Sequence, residues 1–460
     1  MNRMRLLSVV AALVLAPLLF LGAGVLVREA PAQEPAPASA GPPDIAAVAS
    51  GQDTAAVSNS GDIAAIVTGL QDRLRRLPED WQAWAALGSA YVEQARLSAD
   101  PSAYPKAEDA FARSLEIQPE LNADALTGQA TLAAARHDFA EARELALQAA
   151  EINPYSATTQ GVLADALIEL GDYDEAFDAL QRMVDLRPGV PSFARVAYSY
   201  ELRGDDEGAT YALEQALAVA SAPADAAYAL HQLGELAFNN GNLEEAAARF
   251  AEGLARDPSY LPLLAGQAKV KAAQGDVEGA LADYATVVQR LPQPNYVIEY
   301  ADLLASLGRE EEAQAQYAVA DAAQRLFAAE GVRVDLELSL YDADHGRPVE
   351  ALEAAEAEWE RRSTVHVEDA YAWALHVNGR SEEALEHAYA AQELGTRSAL
   401  FAFHRGMIEK ELGMDEKARA SLTEALDINP YFSVLHAPTA RAALDELASA
   451  SDASDAGDDG

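Results

Sequence analysis

The chain has 460 residues, half of them apolar, with 33 Lys and Arg against 74 Asp and Glu, a formal charge of -41 and no cysteine. So acidic a chain lacks the basic footprint that nucleic acid or anionic lipid requires, since such binding rests on Lys and Arg neutralising phosphates and releasing counterions. The absence of cysteine excludes disulfides, thiolate metal sites, thiol nucleophiles and a lipid-modified cysteine anchor.

In chain order, residues 1–5 carry Arg3 and Arg5 and form a short positive start. Residues 6–27 are uncharged and almost wholly apolar, and Arg28 closes them. As a helix rising about 1.5 Å per residue this stretch reaches about 33 Å, enough for a hydrocarbon core of about 30 Å. A cleaved signal has an apolar region of only roughly 7 to 15 residues. The reading is therefore a retained transmembrane anchor; the alternative is a signal peptide cut after Ala30-Pro31-Ala32. In both, the positive N-terminus stays cytoplasmic and the remainder of the chain is exported. Residues 28–61, rich in Pro, Ala, Gly and Ser, read as a flexible tether with a coil reach of roughly 30 Å.

From there the sequence becomes periodic. Alanine recurs at Ala107, Ala142, Ala176, Ala209, Ala246, Ala280, Ala313, Ala351, Ala384 and Ala418, at intervals of 33 to 38 residues. Eight of these have Gly five residues earlier (Gly171, Gly204, Gly241, Gly275, Gly308, Gly346, Gly379, Gly413), and six have Pro twelve residues later. Twelve residues before each alanine stands another small residue, except that the interval is longer in the first repeat: Gly88, Ala130, Ala164, Ala197, Gly234, Ala268, Ala301, Ser339, Ala372 or Gly406. The spacing predicts a first helix, a stop at a left-handed glycine, a second helix centred on the alanine, and a break near Pro. Small residues on both helices allow close approach, and such a hairpin buries its core only by stacking on neighbours. The fold class is all-α, a solenoid over residues 62–430, with a capping helix in 431–448 and a disordered acidic tail over 449–460. Repeat eight, Val334 to Glu358, departs most from the pattern, and the joins near Ser221 to Asp225 and Gln324 to Arg333 are long.

Trp84-x2-Leu87-Gly88-x2-Tyr91, followed by Ala107-x3-Phe111 and Pro119, resembles the tetratricopeptide repeat signature. The resemblance covers roughly residues 80 to 430 as ten repeats. It implies a right-handed superhelix of helical hairpins whose first helices line a concave groove that takes a protein or peptide. In that register the groove candidates of the middle repeats are Asp165, Glu169, Tyr198, Glu201, His231, Glu235, Asn239, Lys269, Glu299 and Asp302, a mainly acidic wall suited to a basic or polar partner. In the last repeats they are Leu340, His366, Trp373, Phe403 and Met407, an apolar wall if exposed.

Nothing in the chain carries a catalytic motif. Six of eight histidines lie between His345 and His436. His366 and His376, ten residues apart, are separated by about 280° around a helix and share no face. No metal, cofactor or nucleic acid is expected. The paired glutamates at Glu244-Glu245, Glu311-Glu312 and Glu382-Glu383 suit the positive end of a second helix. The reading is a membrane-tethered, extracytoplasmic, non-enzymatic scaffold. The entry from Ile63 to Trp84 is similar to membrane-bound cytochrome c maturation proteins of the CcmI/CycH type, which implies an apocytochrome chaperone as one alternative; a component of polysaccharide or cell-envelope assembly is another.

Overall fold

The computed structural model describes residues 60–458. The anchor or signal segment at 6–27 and residues 28–59 of the expected tether lie outside the described residues, and its last two residues, 60 and 61, begin a helix instead. Among the described residues there are 22 α-helices and no strand, and no helix is long and apolar enough to cross a membrane.

An entry helix, Ser60–Arg76, precedes ten hairpins. Repeats 1 to 5 are Trp81–Ser98 with Tyr104–Ile117, Ala123–Ala135 with Phe139–Ile152, Ala157–Leu170 with Tyr173–Leu186, Val190–Glu201 with Asp206–Val219, and Pro223–Asn239 with Leu243–Arg256. Repeats 6 to 10 are Leu261–Gln274 with Val277–Arg290, Pro294–Ser306 with Glu310–Ala329, Asp335–Asp344 with Pro348–Trp359, Val365–Val377 with Ser381–Ala390, and Ala399–Glu411 with Asp415–Ile428. Repeat 8, the weakest in sequence, is a complete hairpin.

The physical basis is the one the periodicity implied. All ten phased alanines are fully buried, and so is the small partner residue on each first helix. The reason for smallness is explicit at Phe111 and Phe250. A Cβ added to Gly88 or Gly128 would lie 2.5 or 2.2 Å from the Phe111 ring, and one added to Gly234 or Gly266 would lie 2.3 or 2.4 Å from Phe250. Each ring therefore fills a cleft between glycines of successive repeats, a close packing worth roughly 1.5–3 kcal/mol per large side chain. The eight recurrent turn glycines all have positive φ. Repeat 2, which has no glycine there, uses His137 at φ 58°. Asp138, Asp205, Asn242 and Asp276 accept from the third backbone N–H of the second helix that each precedes.

Two boundaries differ from expectation. Residues 324–329, read as part of a long join, continue the second helix of repeat 7 to Ala329. They deliver Phe327 and Val332 onto the core of the entry helix and repeats 1 and 2. The last helix runs His436–Asp458, so helix replaces the unstructured tail expected from Ser449. Residues 449–456 contain no Gly or Pro and alternate Ala with Ser and Asp, and extending a helix already nucleated costs little.

The array winds back on itself. The interhelical turns of repeats 2, 3, 4 and 5 meet the junctions that come after repeats 7, 8, 9 and 10, so five and a half repeats complete one superhelical turn. Most hydrogen bonds across these four meetings join residues more than 190 apart in the chain. His137 Nδ1 lies 2.7 Å from the Arg333 carbonyl, and Arg333 donates to Asp138. Arg362 binds Glu169, and the Val365 N–H donates to Tyr173 Oη at 3.1 Å. Thr396 Oγ1 donates to the Leu202 carbonyl at 2.6 Å, and Arg397 reaches Asp206 at 2.6 Å. Buried Asn429 donates to the Phe238 carbonyl at 2.8 Å. Apolar packing crosses the seam too: Val365, Ala391 and Phe401 share one core with Leu167, Tyr173 and Leu202.

Candidate functional site

The first helices of the repeats hold the sequence-predicted groove residues. In repeats 3 to 7 they form a ladder of ionisable groups, already paired in part. Asp165 of repeat 3 accepts two hydrogen bonds, both 2.8 Å, from Arg195 of repeat 4. This bidentate pair is the strong form of a carboxylate–guanidinium contact. Glu235 of repeat 5 takes Lys269 of repeat 6 as its ion-pair partner, and Lys269 lies 5.4 Å from the centre of the Phe238 ring. His231 Nε2 stands 3.8 Å from the same carboxylate, and its ring meets Tyr260 edge-on with centres 6.0 Å apart. Glu299 accepts from Tyr284 Oη at 3.1 Å. Asp302 accepts from Tyr317 Oη at 2.7 Å and lies 2.9 Å from His345 Nε2. Asn239 is exposed.

Electrostatics separates these carboxylates. Burial works against the Glu235 charge, but Lys269 and then His231 outweigh it and hold the pKa below the ordinary range. Glu299, more burdened by burial and by Glu235 than relieved by Lys269, is pushed up. Glu201 is raised furthest into the working range, to about 7, by burial first and then by Asp206 and Glu235. It has no ion-pair partner among the described residues. Burial also lowers the pKa of His231 and of His366.

Two other predicted groove residues are engaged by the second superhelical turn: Glu169 by Arg362, and Tyr198, whose Oη is 3.4 Å from His366 Nε2. The apolar wall expected in the last repeats is not an open one. Trp373 is 7% exposed and Phe403 1%, and Leu340 and Met407 pack against the same core. Trp373 stacks on His404 with centres 4.3 Å apart and donates its Nε1–H to Asp344 at 2.8 Å. The cap supplies Phe432 and His436, both against Phe403. The register expected to face the groove is thus covered here by the cap and by neighbouring repeats.

The histidines are each spoken for locally, His376 by Ser381, His387 by Glu368, His404 by Asp369 and His436 by Asp344. Among the described residues no group of three or more His, Cys, Asp or Glu is placed to hold a metal ion. Sequence reasoning missed Arg195, Arg362 and Arg397. Arg195 was visible in principle as a charge opposite Asp165 one repeat later. The other two sit in junctions, and their partners are set by the winding, to which no single repeat gives a clue.

Models of the tetratricopeptide repeat match residues 133–197 and 401–432. No curated protein sequence matches the chain. Among solved structures, a thermophilic tetratricopeptide repeat protein of Thermus thermophilus is 25% identical, covering 37% of this chain and 91% of its own, with a TM-score of 0.34. The Cut9–Hcn1 hetero-tetramer of the APC/C is 14% identical over 84% of this chain and 82% of that one, with a TM-score of 0.42. YrrB, described as having an unusual peptide-binding site, is 20% identical over 40% and 93%, with a TM-score of 0.28.

Proposed function

Because the chain carries tetratricopeptide repeats, we propose that it is a non-catalytic scaffold that binds an extended, basic or polar protein segment along the first helices of its repeats. The observation that carries this reading is the ladder Asp165–Arg195, Glu201, Glu235–Lys269 and Glu299, in which carboxylates outnumber their cationic partners. A guest with Arg or Lys at repeat-like spacing completes that ladder, because charge-assisted bonds to half-buried carboxylates are stronger than those at an exposed surface. In this proposal residues 6–27 hold the protein in a membrane and the repeats face the extracytoplasmic side. The support is the long uncharged segment between Arg5 and Arg28.

The test uses the full chain and a fluorescent Gly/Ser peptide of about 20 residues with an Arg every fourth position, long enough to span several first helices. Glu201→Lys with Asn239→Lys, at two wall positions without ion pairs, is expected to weaken binding by roughly ten-fold or more through like-charge opposition. Equal anisotropy titrations for the variant and the parent reject the acidic wall as the recognition surface. Protease protection in intact cells and in opened ones reads the side of the membrane; cleavage of the repeats only from the cytoplasmic side rejects the proposed location.

A further inference from the structure

Two residues of the proposed wall are held across the seam, by the second superhelical turn. Arg362, at the junction after repeat 8, binds Glu169 through both its carboxylate and its backbone carbonyl. His366 stands 3.4 Å from Tyr198 Oη. These contacts belong to a larger pattern in which three junction arginines reach back to carboxylates of the first superhelical turn: Arg333 to Asp138, Arg362 to Glu169 and Arg397 to Asp206. The second turn thus makes the same guanidinium–carboxylate bonds that an arginine-bearing guest would make.

We propose that the seam is an autoinhibitory latch: the second superhelical turn occupies the wall around Glu169 and Tyr198 as an internal ligand, and an arginine-bearing extended segment gains that part of the wall by displacing it. This rests on the reading of the wall as a peptide-binding surface. Geometry makes the latch separable from the fold. The polar contacts of the seam come mainly from interhelical turns and junctions, joined by the apolar patch of Val365, Ala391 and Phe401 on Leu167, Tyr173 and Leu202, whereas each hairpin packs far more extensively on the hairpins next to it in the chain. A small rotation at each interface, summed over five and a half repeats, parts the seam with every stack intact. Exchange is chemically matched, because the incoming guanidinium replaces bonds of the kind it breaks, so the equilibrium responds to the guest's differential affinity for the open form.

The glycines of the turns set the closeness of the latch. A Cβ on Gly171 would stand 2.5 Å from the Ser363 carbonyl oxygen, and one on Gly204 would stand 2.3 Å from that of Gly395. Around Gly308, of the same conformation, nothing lies within 4 Å. Asparagine tolerates positive φ, so Gly204→Asn intrudes on the seam and Gly308→Asn provides the control for backbone conformation.

The chain has no cysteine, so Asp174→Cys and Ser363→Cys take spin labels at unique sites on opposite sides of the seam. In the otherwise unaltered full chain a single short label distance is expected. Gly204→Asn with Arg397→Ala is expected to lengthen it, and Gly308→Asn with Arg309→Ala to leave it unchanged, with equal helical content in all three by circular dichroism. The arginine-containing Gly/Ser peptide is then expected to bind the seam-opened variant at least about ten-fold more tightly than the parent, within the usual range of coupling between sites, and to lengthen the parent's label distance on saturation. Equal distances in the two variants overturn the latch. An opened seam with unchanged peptide affinity overturns its role as a gate. No binding to any of the three proteins overturns both the gate and the wall on which it rests, and the label distances distinguish that result from failure of the latch alone.

Discussion

The interhelical turns of repeats 3 to 5 and those of repeats 6 to 10 carry the same glycine in the same left-handed conformation, yet they meet different surroundings. At Gly171, Gly204 and Gly241 the backbone of a later junction comes close enough that an added Cβ would stand 2.3 to 3.1 Å from a carbonyl oxygen. At Gly275, Gly308, Gly346, Gly379 and Gly413 there is open space. One sequence mark thus serves two physical demands. Positive φ is required at every turn, and only the first set also needs the missing side chain for close approach of another part of the chain.

Substitutions on and off the seam test that contrast. The largest effect is expected from Arg362→Ala. Arg362 is 7% exposed and pairs with Glu358, itself 3% exposed, as well as with Glu169. Removing it takes away the buried partner of both carboxylates and leaves Glu358 only the more exposed Arg361, and the loss should be about 3 kcal/mol in urea unfolding. Its neighbour Arg361, with a third of its side chain exposed, should lose under about 1 kcal/mol when replaced by Ala. The Arg362 contribution should fade in acid. Burial opposes the Glu358 charge, but Arg362 and Arg361 outweigh it and hold its pKa below the ordinary value. That stability is therefore present above the unfolded carboxyl value and disappears as pH falls through the folded one.

Next in size is the glycine pair. Gly204→Asn should destabilise by roughly 1–3 kcal/mol through overpacking, and Gly308→Asn by only a few tenths. Equal midpoints in thermal unfolding would remove the distinction between the two sets of turns. A gain is expected at Glu201, whose carboxyl is raised to about 7 and sits near Asp206 of the seam. The fold keeps its proton to higher pH than the unfolded chain does, so stability is full below the unfolded carboxyl value and declines as pH rises through about 7. Glu201→Gln abolishes that decline and should stabilise by on the order of 2 kcal/mol at pH about 8, with no gain at pH about 4. A small effect belongs to Arg397→Ala, whose side chain is 44% exposed, and which should lose no more than about 1 kcal/mol, less in high salt.

The hairpins were legible because each repeat states its own solution: Ala246 needs Gly234 opposite it, Gly241 between them, and Phe250 to fill the step to the next unit. The seam was not legible. Its partners lie almost two hundred residues apart, brought together by a sum of small angles that no local pattern encodes. Trp373 and Phe403 were misplaced for a related reason. Their register is that of the wall in repeats 3 to 7, but the cap brings Phe432 and His436 over them. The polar partners, half-buried Asp344 and buried Asp369 and His404, were the available sign that these rings lie inside. Asp165, Glu235 and Lys269 sit on the first helices where the period puts them; their pairing depends on how successive repeats stack, which no single repeat encodes.

The spacing of the cross-turn bonds turns repeat number into a unit of inheritance. Losing or duplicating one entire hairpin between the two halves slides the junction arginines one repeat along the first turn and keeps junction facing turn. Gain or loss of a single helix sets turn against turn and leaves every rung empty. Descendants of this chain are accordingly free to change length in whole hairpins and barred from changing it in halves.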